Sequence, residues 1–135
     1  MRHTAKLIIG VCALTISMAG LVYSSGASAA GKAPNKKTCK AKPTDAVTQG
    51  GCIVINKKKG NCGACHKIAG ISTPGNIAPP LSFIKQRFGK NKKKLYDQVY
   101  DATKFNKNSS MPPFGRHGIL SPKDIKKVVA FLMTL

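Results

Sequence analysis

Cys62, Cys65 and His66 fall within five positions of the stretch GNCGACHKIAG, residues 60 to 70, in a chain with few other reactive groups. Two thiols three positions apart, followed at once by an imidazole, form the attachment signature of c-type haem. Each thiol adds across a haem vinyl group to give a thioether, and a two-residue gap on a helical turn presents both sulfurs to one porphyrin edge. His66 is thereby set under the iron as its proximal ligand. Other uses of these residue types demand features the chain lacks. A thioredoxin-like redox pair belongs in a βαβ setting, whereas a glycine- and proline-rich loop follows here. Zinc requires further Cys or His ligands at suitable spacing, and none is evident. A Cys62–Cys65 disulfide would close a very short ring.

A proximal histidine normally has its second ring nitrogen anchored, which fixes its orientation and basicity. Pro79 and Pro80 cannot donate a backbone hydrogen bond, but each offers a carbonyl, and the Pro79 carbonyl is the expected partner of His66. The competing reading makes APPL a rigid turn. On the opposite face of the iron the candidates are Met111, Met133, His117 and any lysine. Met133 lies near the packing face of the terminal segment, and His117 suits the surface or a propionate. Met111 opens MPPFG, where two prolines stiffen the loop, so Met111 is the expected second ligand. His/Met ligation raises a haem potential and suits electron acceptance. With both axial positions filled, one covalent haem c is expected to relay electrons, and no catalytic residue is expected in this chain.

The elements that must position these residues are short. Residues 1–29 read as a secretory signal peptide: Arg2 and Lys6, an apolar run from Leu7 to Val22, and the small-residue pattern Ala27-Ser28-Ala29 before the cleavage point. Cys12 leaves with it, and Ile9-Gly10-Val11 lacks the small residue expected just before a lipoprotein cysteine. About a hundred residues remain, one small domain whose burial alone is marginal. The chain has no tryptophan, so a large planar ligand would supply core that the side chains do not. Residues 30–44 read as an exposed basic arm and 45–135 as the folded domain. A helix is expected over Asp45–Lys58, weakened by Gly50-Gly51, then a wrapping loop from Ile68 to Pro80. Two short helices follow, Leu81–Phe88 and Lys92 to about Ala102, the second with Leu95, Val99 and Ala102 on one face. After another loop, Ser121, Pro122 and Asp124 announce a terminal helix with Ile125, Val128, Val129 and Leu132 on one face, expected to pack on the helix before Cys62. The architecture is all-α.

GNCGACH, PGNIAPPL, QRFG and above all MPPFGRHGIL resemble the SoxX family, the small monohaem subunits of the SoxAX cytochromes of bacterial sulfur oxidation. The likeness covers residues 45 to 135. It implies a class I cytochrome c-like fold with covalent haem on Cys62 and Cys65, and axial ligands His66 and Met111. It also implies a periplasmic heterodimer with a larger SoxA-like subunit. Such a pair is an L-cysteine S-thiosulfotransferase, joining thiosulfate oxidatively to a cysteine of the SoxYZ carrier protein. The sulfur chemistry would sit at the SoxA-like haem, and this chain would pass electrons to a soluble cytochrome.

The formal net charge is +19, of which Arg2 and Lys6 in the leader contribute two. Such a field attracts acidic partners and raises encounter rates, which suits docking on an acidic electron-acceptor cytochrome. Export argues against nucleic acid as partner, and cleavage of the leader against a membrane anchor. Cys39 and Cys52, in an oxidising compartment, are expected to close a loop of about fourteen residues by a disulfide contributing about 3 kcal/mol. A bridge to a partner subunit and free thiols are the alternatives. Two other functions fit the composition: a free-standing cytochrome shuttle, and a basic secreted binding protein whose cysteines are structural.

Overall fold

A computed structural model describes residues 31–135; the expected signal peptide over 1–29 lies outside the described residues. Five helices carry the fold: α1 Lys36–Lys40, α2 Ala46–Ile55, α3 Ile84–Phe88, α4 Lys92–Tyr100 and α5 Pro122–Leu132. Tight helical turns at Cys62–Ala64 and Ala102–Lys104 complete it. Among the described residues there is no strand, and the one isolated bridge pairs His66 with Ala78.

Four of the helices begin on a side chain that accepts an otherwise unpaired amide. Asn35 takes Thr38 N at 2.8 Å, Asp45 takes Thr48 N at 2.7 Å, Asn91 takes Lys94 N at 2.9 Å and Ser121 takes Asp124 N at 3.1 Å. The helix α3 starts differently. Phe83 precedes it in a left-handed conformation, φ 54°, without a side-chain cap. Its first amide, Ile84 N, donates instead to the Leu135 carbonyl at 3.0 Å. The expected start at Leu81 is lost because Phe83, in that left-handed conformation, breaks a right-handed helical run before Ile84.

The core lies where α5 crosses α2. Val54, Ile125 and Phe131 are wholly buried, with Val128, Val129 and Leu132 beside them, so the stripe expected on the terminal helix packs on the helix before Cys62. Leu95 and Val99 of α4 close the other side of the cluster. Each such side chain contributes about 1.5–3 kcal/mol on full burial. The crossing depends on Gly50: a Cβ there would run into the Lys127 carbonyl and approach Phe131 Cβ to 3.0 Å. The expected helix over Asp45–Lys58 stops at Ile55, because Ile53 O and Asn56 O are taken by Gly60 N at 3.2 Å and Asn61 N at 3.0 Å. These bonds fold Lys57-Lys58-Lys59 into an exposed turn.

Within the expected exposed arm, 30–44, the described residues 31–44 differ from that expectation. Lys36, Lys37, Lys40 and Lys42 do face solvent, but Ala33 and Pro34 are buried and α1 follows. Gly51 accounts for this, since a Cβ there would lie 2.5 Å from Pro34 Cδ; its absence makes the slot the proline ring fills. Gly31 N donates to Thr134 Oγ1 at 3.2 Å and Ala33 N to Ala69 O at 2.7 Å, tying the segment across the end of α5 and the loop after His66. A disulfide joins Cys39 to Cys52, with S–S 2.00 Å and Cα–Cα 5.5 Å, and fastens α1 to α2. An uncompensated run of lysines hid a segment whose backbone is held by glycine-made space.

Candidate haem-binding site

Asn61, at φ 47°, turns the chain out of the loop after α2 and into the turn Cys62–Ala64. Cys65 N and His66 N both donate to Cys62 O, at 3.2 and 2.9 Å, so the two thiols and the imidazole stand on one turn. The following loop is laid directly over that turn. Gly75 N donates to Gly63 O at 2.8 Å and Ala78 N to Cys65 O at 3.0 Å. The closeness requires glycine: a Cβ on Gly75 would collide with the Ala64 carbonyl, and one on Gly63 would lie 2.5 Å from Ile71 Cδ1.

This wrapping brings Pro79 to His66. Nδ1 of the ring lies 2.6 Å from Pro79 O, and because a carbonyl only accepts, Nδ1 carries a proton, which in the neutral ring leaves the lone pair on Nε2. The ring is thereby held in the tautomer that a metal ligand needs. Cys62 and Cys65 are both free thiols and half-buried. Burial pushes the Cys62 thiol up to about 11, with the neighbouring Cys65 acting in the same direction. Ile77, next to the Ala78 that pairs with His66, leaves 78% of its surface exposed.

The residues fit a covalently held haem: two unpaired sulfurs on one turn, an imidazole nitrogen left free, and exposed apolar surface alongside. They do not fit a structural zinc. Among the described residues no group of three or more His, Cys, Asp or Glu side chains is arranged to hold a metal ion.

Met111 sits elsewhere in the chain, in the loop between the turn Ala102–Lys104 and α5. It is half-buried and packs against the core cluster, and its amide donates to Ser109 Oγ at 3.3 Å. Phe114, 7% exposed, roots the loop in the core, and Leu120 N closes it on Phe114 O at 2.9 Å. His117 is exposed, and Met133 caps the end of α5 half-buried against the core.

The sequence reasoning missed what holds this loop. Gly115 N and Arg116 N both donate to Tyr100 O, at 3.0 and 3.3 Å. Arg116 Nη1 reaches Asp101 Oδ2 at 3.2 Å, and Asp101 Oδ1 accepts from Thr103 N and Thr103 Oγ1, at 3.1 and 2.5 Å. Asp101 is 4% exposed. The Thr103 hydroxyl, with Arg116 and Lys104 nearby, holds its carboxyl below the usual carboxylate range. No signal in the sequence marks this pair, because its members are separated by the loop they hold.

The family model for cytochrome c matches residues 55–135, more than half of the chain, from the end of α2 to the terminus. The chain belongs to the cytochrome c family. Membership makes it an electron-transfer haem protein and implies a covalently bound haem c. Its helices, with no strand among the described residues, are consistent with an all-α cytochrome c-like fold. The chain is also similar to an uncharacterized lipoprotein of Aquifex aeolicus (strain VF5), 40% identical over 76 residues, which are 56% of this chain and 36% of the relative. The chain thus spans about a third of that relative's length. No solved structure matches significantly. No helix among the described residues is long and apolar enough to cross a membrane.

Proposed function

We propose that this chain is an exported monohaem cytochrome c that serves as the SoxX-like electron-transfer subunit of a periplasmic SoxAX complex. The observation that carries the haem assignment is the 2.6 Å contact from His66 Nδ1 to Pro79 O on the same turn as two free thiols. Haem c, when bound, supplies reversible one-electron iron chemistry. Cys62 and Cys65 would hold it through thioethers, His66 Nε2 and the Met111 sulfur would ligate its iron, and the Pro79 carbonyl orients the imidazole and would strengthen it as a donor. With His66 and Met111 both as ligands the iron would have no position left for thiosulfate, and the chain would relay electrons.

Joining a carrier cysteine to thiosulfate forms one S–S bond and releases two electrons and a proton. This chain carries one electron at a time, so it turns over twice for each bond made at the SoxA-like subunit, which together with it constitutes the thiosulfotransferase. The motif MPPFGRHGIL around Met111 supports that assignment, and the leader-like start together with the lipoprotein relative supports export.

Attachment is tested by a reduced-minus-oxidised spectrum of the purified protein before and after acid–acetone extraction. Colour that stays on the denatured polypeptide is expected, and colour that extracts overturns the thioethers. Met111→Ala is expected to abolish the weak sulfur-to-iron absorption toward the red end and to lower the potential. An unchanged spectrum would move the ligand to His117 or a lysine. The complex is tested by mixing with a SoxA-like subunit and thiosulfate. Haem reduction that depends on the partner is expected, and reduction equally fast without it would leave a free-standing shuttle.

A further inference from the structure

The loop that carries Met111 has no regular structure between Phe105 and Ser121, yet an axial ligand must be held to a fraction of an ångström. Its own prolines stiffen it but do not fix it to the rest of the molecule. Phe114 roots it in the core, and two further attachments are made at the end of α4. Tyr100 O accepts the amides of Gly115 and Arg116. Gly115 also lies against the Tyr100 ring so closely that a Cβ would collide with it. One residue on, Asp101 turns its carboxylate into the fold, where one oxygen binds Thr103 and the other meets Arg116 at 3.2 Å. The Asp101 side chain is 5% exposed and that of Arg116 is 51% exposed, so a carboxylate already held by Thr103 on one oxygen is covered on the other by the arginine. An arginine so met by a fixed carboxylate is restrained in direction as well as in position.

We propose that Asp101 is a positioning residue for the axial methionine: through Arg116 it clamps the Met111 loop to α4 and so sets how firmly Met111 closes the iron. This rests on the reading of Met111 as the axial ligand. The clamp stands apart from the ligand, five residues beyond Met111 at Arg116 and ten before it at Asp101. Loosening it therefore acts on the ligand only through the loop, leaving the thiol turn and His66 untouched.

Added imidazole competes for the methionine's position on the oxidised protein, and its apparent affinity reports how readily the loop opens. The test is an imidazole titration of the haem-loaded wild type, Asp101→Asn, Arg116→Gln and the double variant, followed by absorption, alongside the haem potential and the thermal midpoint. Asn keeps an oxygen for Thr103 while removing the charge that Arg116 meets. Each single variant is expected to bind imidazole about tenfold more tightly, about 1.4 kcal/mol of loop closure, and the double variant no more tightly than either single one. Arg116→Lys is expected to recover part of the closure. Wild-type imidazole affinity in Arg116→Gln, or single effects that simply add, would overturn the clamp. If Asp101→Asn does not fold, the exposed Arg116 variants decide alone. Failure of the underlying ligand assignment looks different: Met111→Ala would then leave the spectrum and the imidazole affinity of the wild type unchanged.

Discussion

At Asp45 one carboxylate oxygen accepts Thr48 N at 2.7 Å and starts α2, the helix that delivers the chain to the thiol-bearing turn. That bond, first among the influences on the group, holds the Asp45 carboxyl below its usual range. A depressed carboxyl contributes stability that is fully present above its unfolded value, about 3.9, and is lost as pH falls through the folded value. Asp45→Ala is therefore expected to lower stability by about 1 kcal/mol at neutral pH. Asp45→Asn is expected to lose far less and to show no acid dependence from this position. Denaturant midpoints of the three proteins at neutral pH and below pH 4 check it, and an asparagine variant as weakened as the alanine one would reject the cap. Caps and the thiol signature are legible in sequence because partners lie within four residues. The Asp101–Arg116 pair spans a loop, and nothing in the identity of either residue marks it.

Between elements, Gly50-Gly51 shows how local propensity misleads. Two glycines inside a helix cost it about 1 kcal/mol each, which argues for a weak α2, yet the pair sits at the tightest crossing of the fold. Without a Cβ at Gly50, α2 and α5 approach backbone to backbone at Lys127, and Val54, Ile125 and Phe131 are sealed between them. The stripe on α5 was readable because its period is helical and its start is capped by Ser121. The packing of residues 31–35 was not, because it depends on a slot made by Gly51 on another element. The helix α3 starts later than expected because Phe83 takes a left-handed conformation that its side chain does not advertise. Gly50→Ala gains helix propensity but inserts a methyl where the Lys127 carbonyl stands, so it is expected to destabilise by about 1–3 kcal/mol net. An urea midpoint at or above wild type, with the same slope, would show that the crossing tolerates a methyl group.

Over the whole molecule the charge is one-sided for a structural reason beyond composition. Of 135 residues, 23 are Lys or Arg and 4 are Asp or Glu, and each of the four acids is engaged within the fold. Asp45 caps α2, Asp97 meets Lys93 at 2.6 Å, Asp101 meets Arg116, and Asp124 reaches Lys59 at 3.5 Å. The carboxylates thus neutralise a few neighbours, and the remaining lysines set a positive field around the molecule. Exposed ion pairs such as Lys93–Asp97 add little stability, about 0–1 kcal/mol, so the field's consequence lies in encounter with other proteins. The screening length falls from about 30 Å at 0.01 M salt to about 10 Å at 0.1 M. Over that range the second-order rate constant for electron transfer to an acidic acceptor cytochrome is expected to drop about tenfold or more. Reduction by a small neutral reagent should change little, because no long-range attraction assists it. Stopped-flow measurement of both reactions across that range checks the argument. A rate with the acidic acceptor that stays flat or rises with salt would mean the lysines are turned away from the surface through which electrons leave.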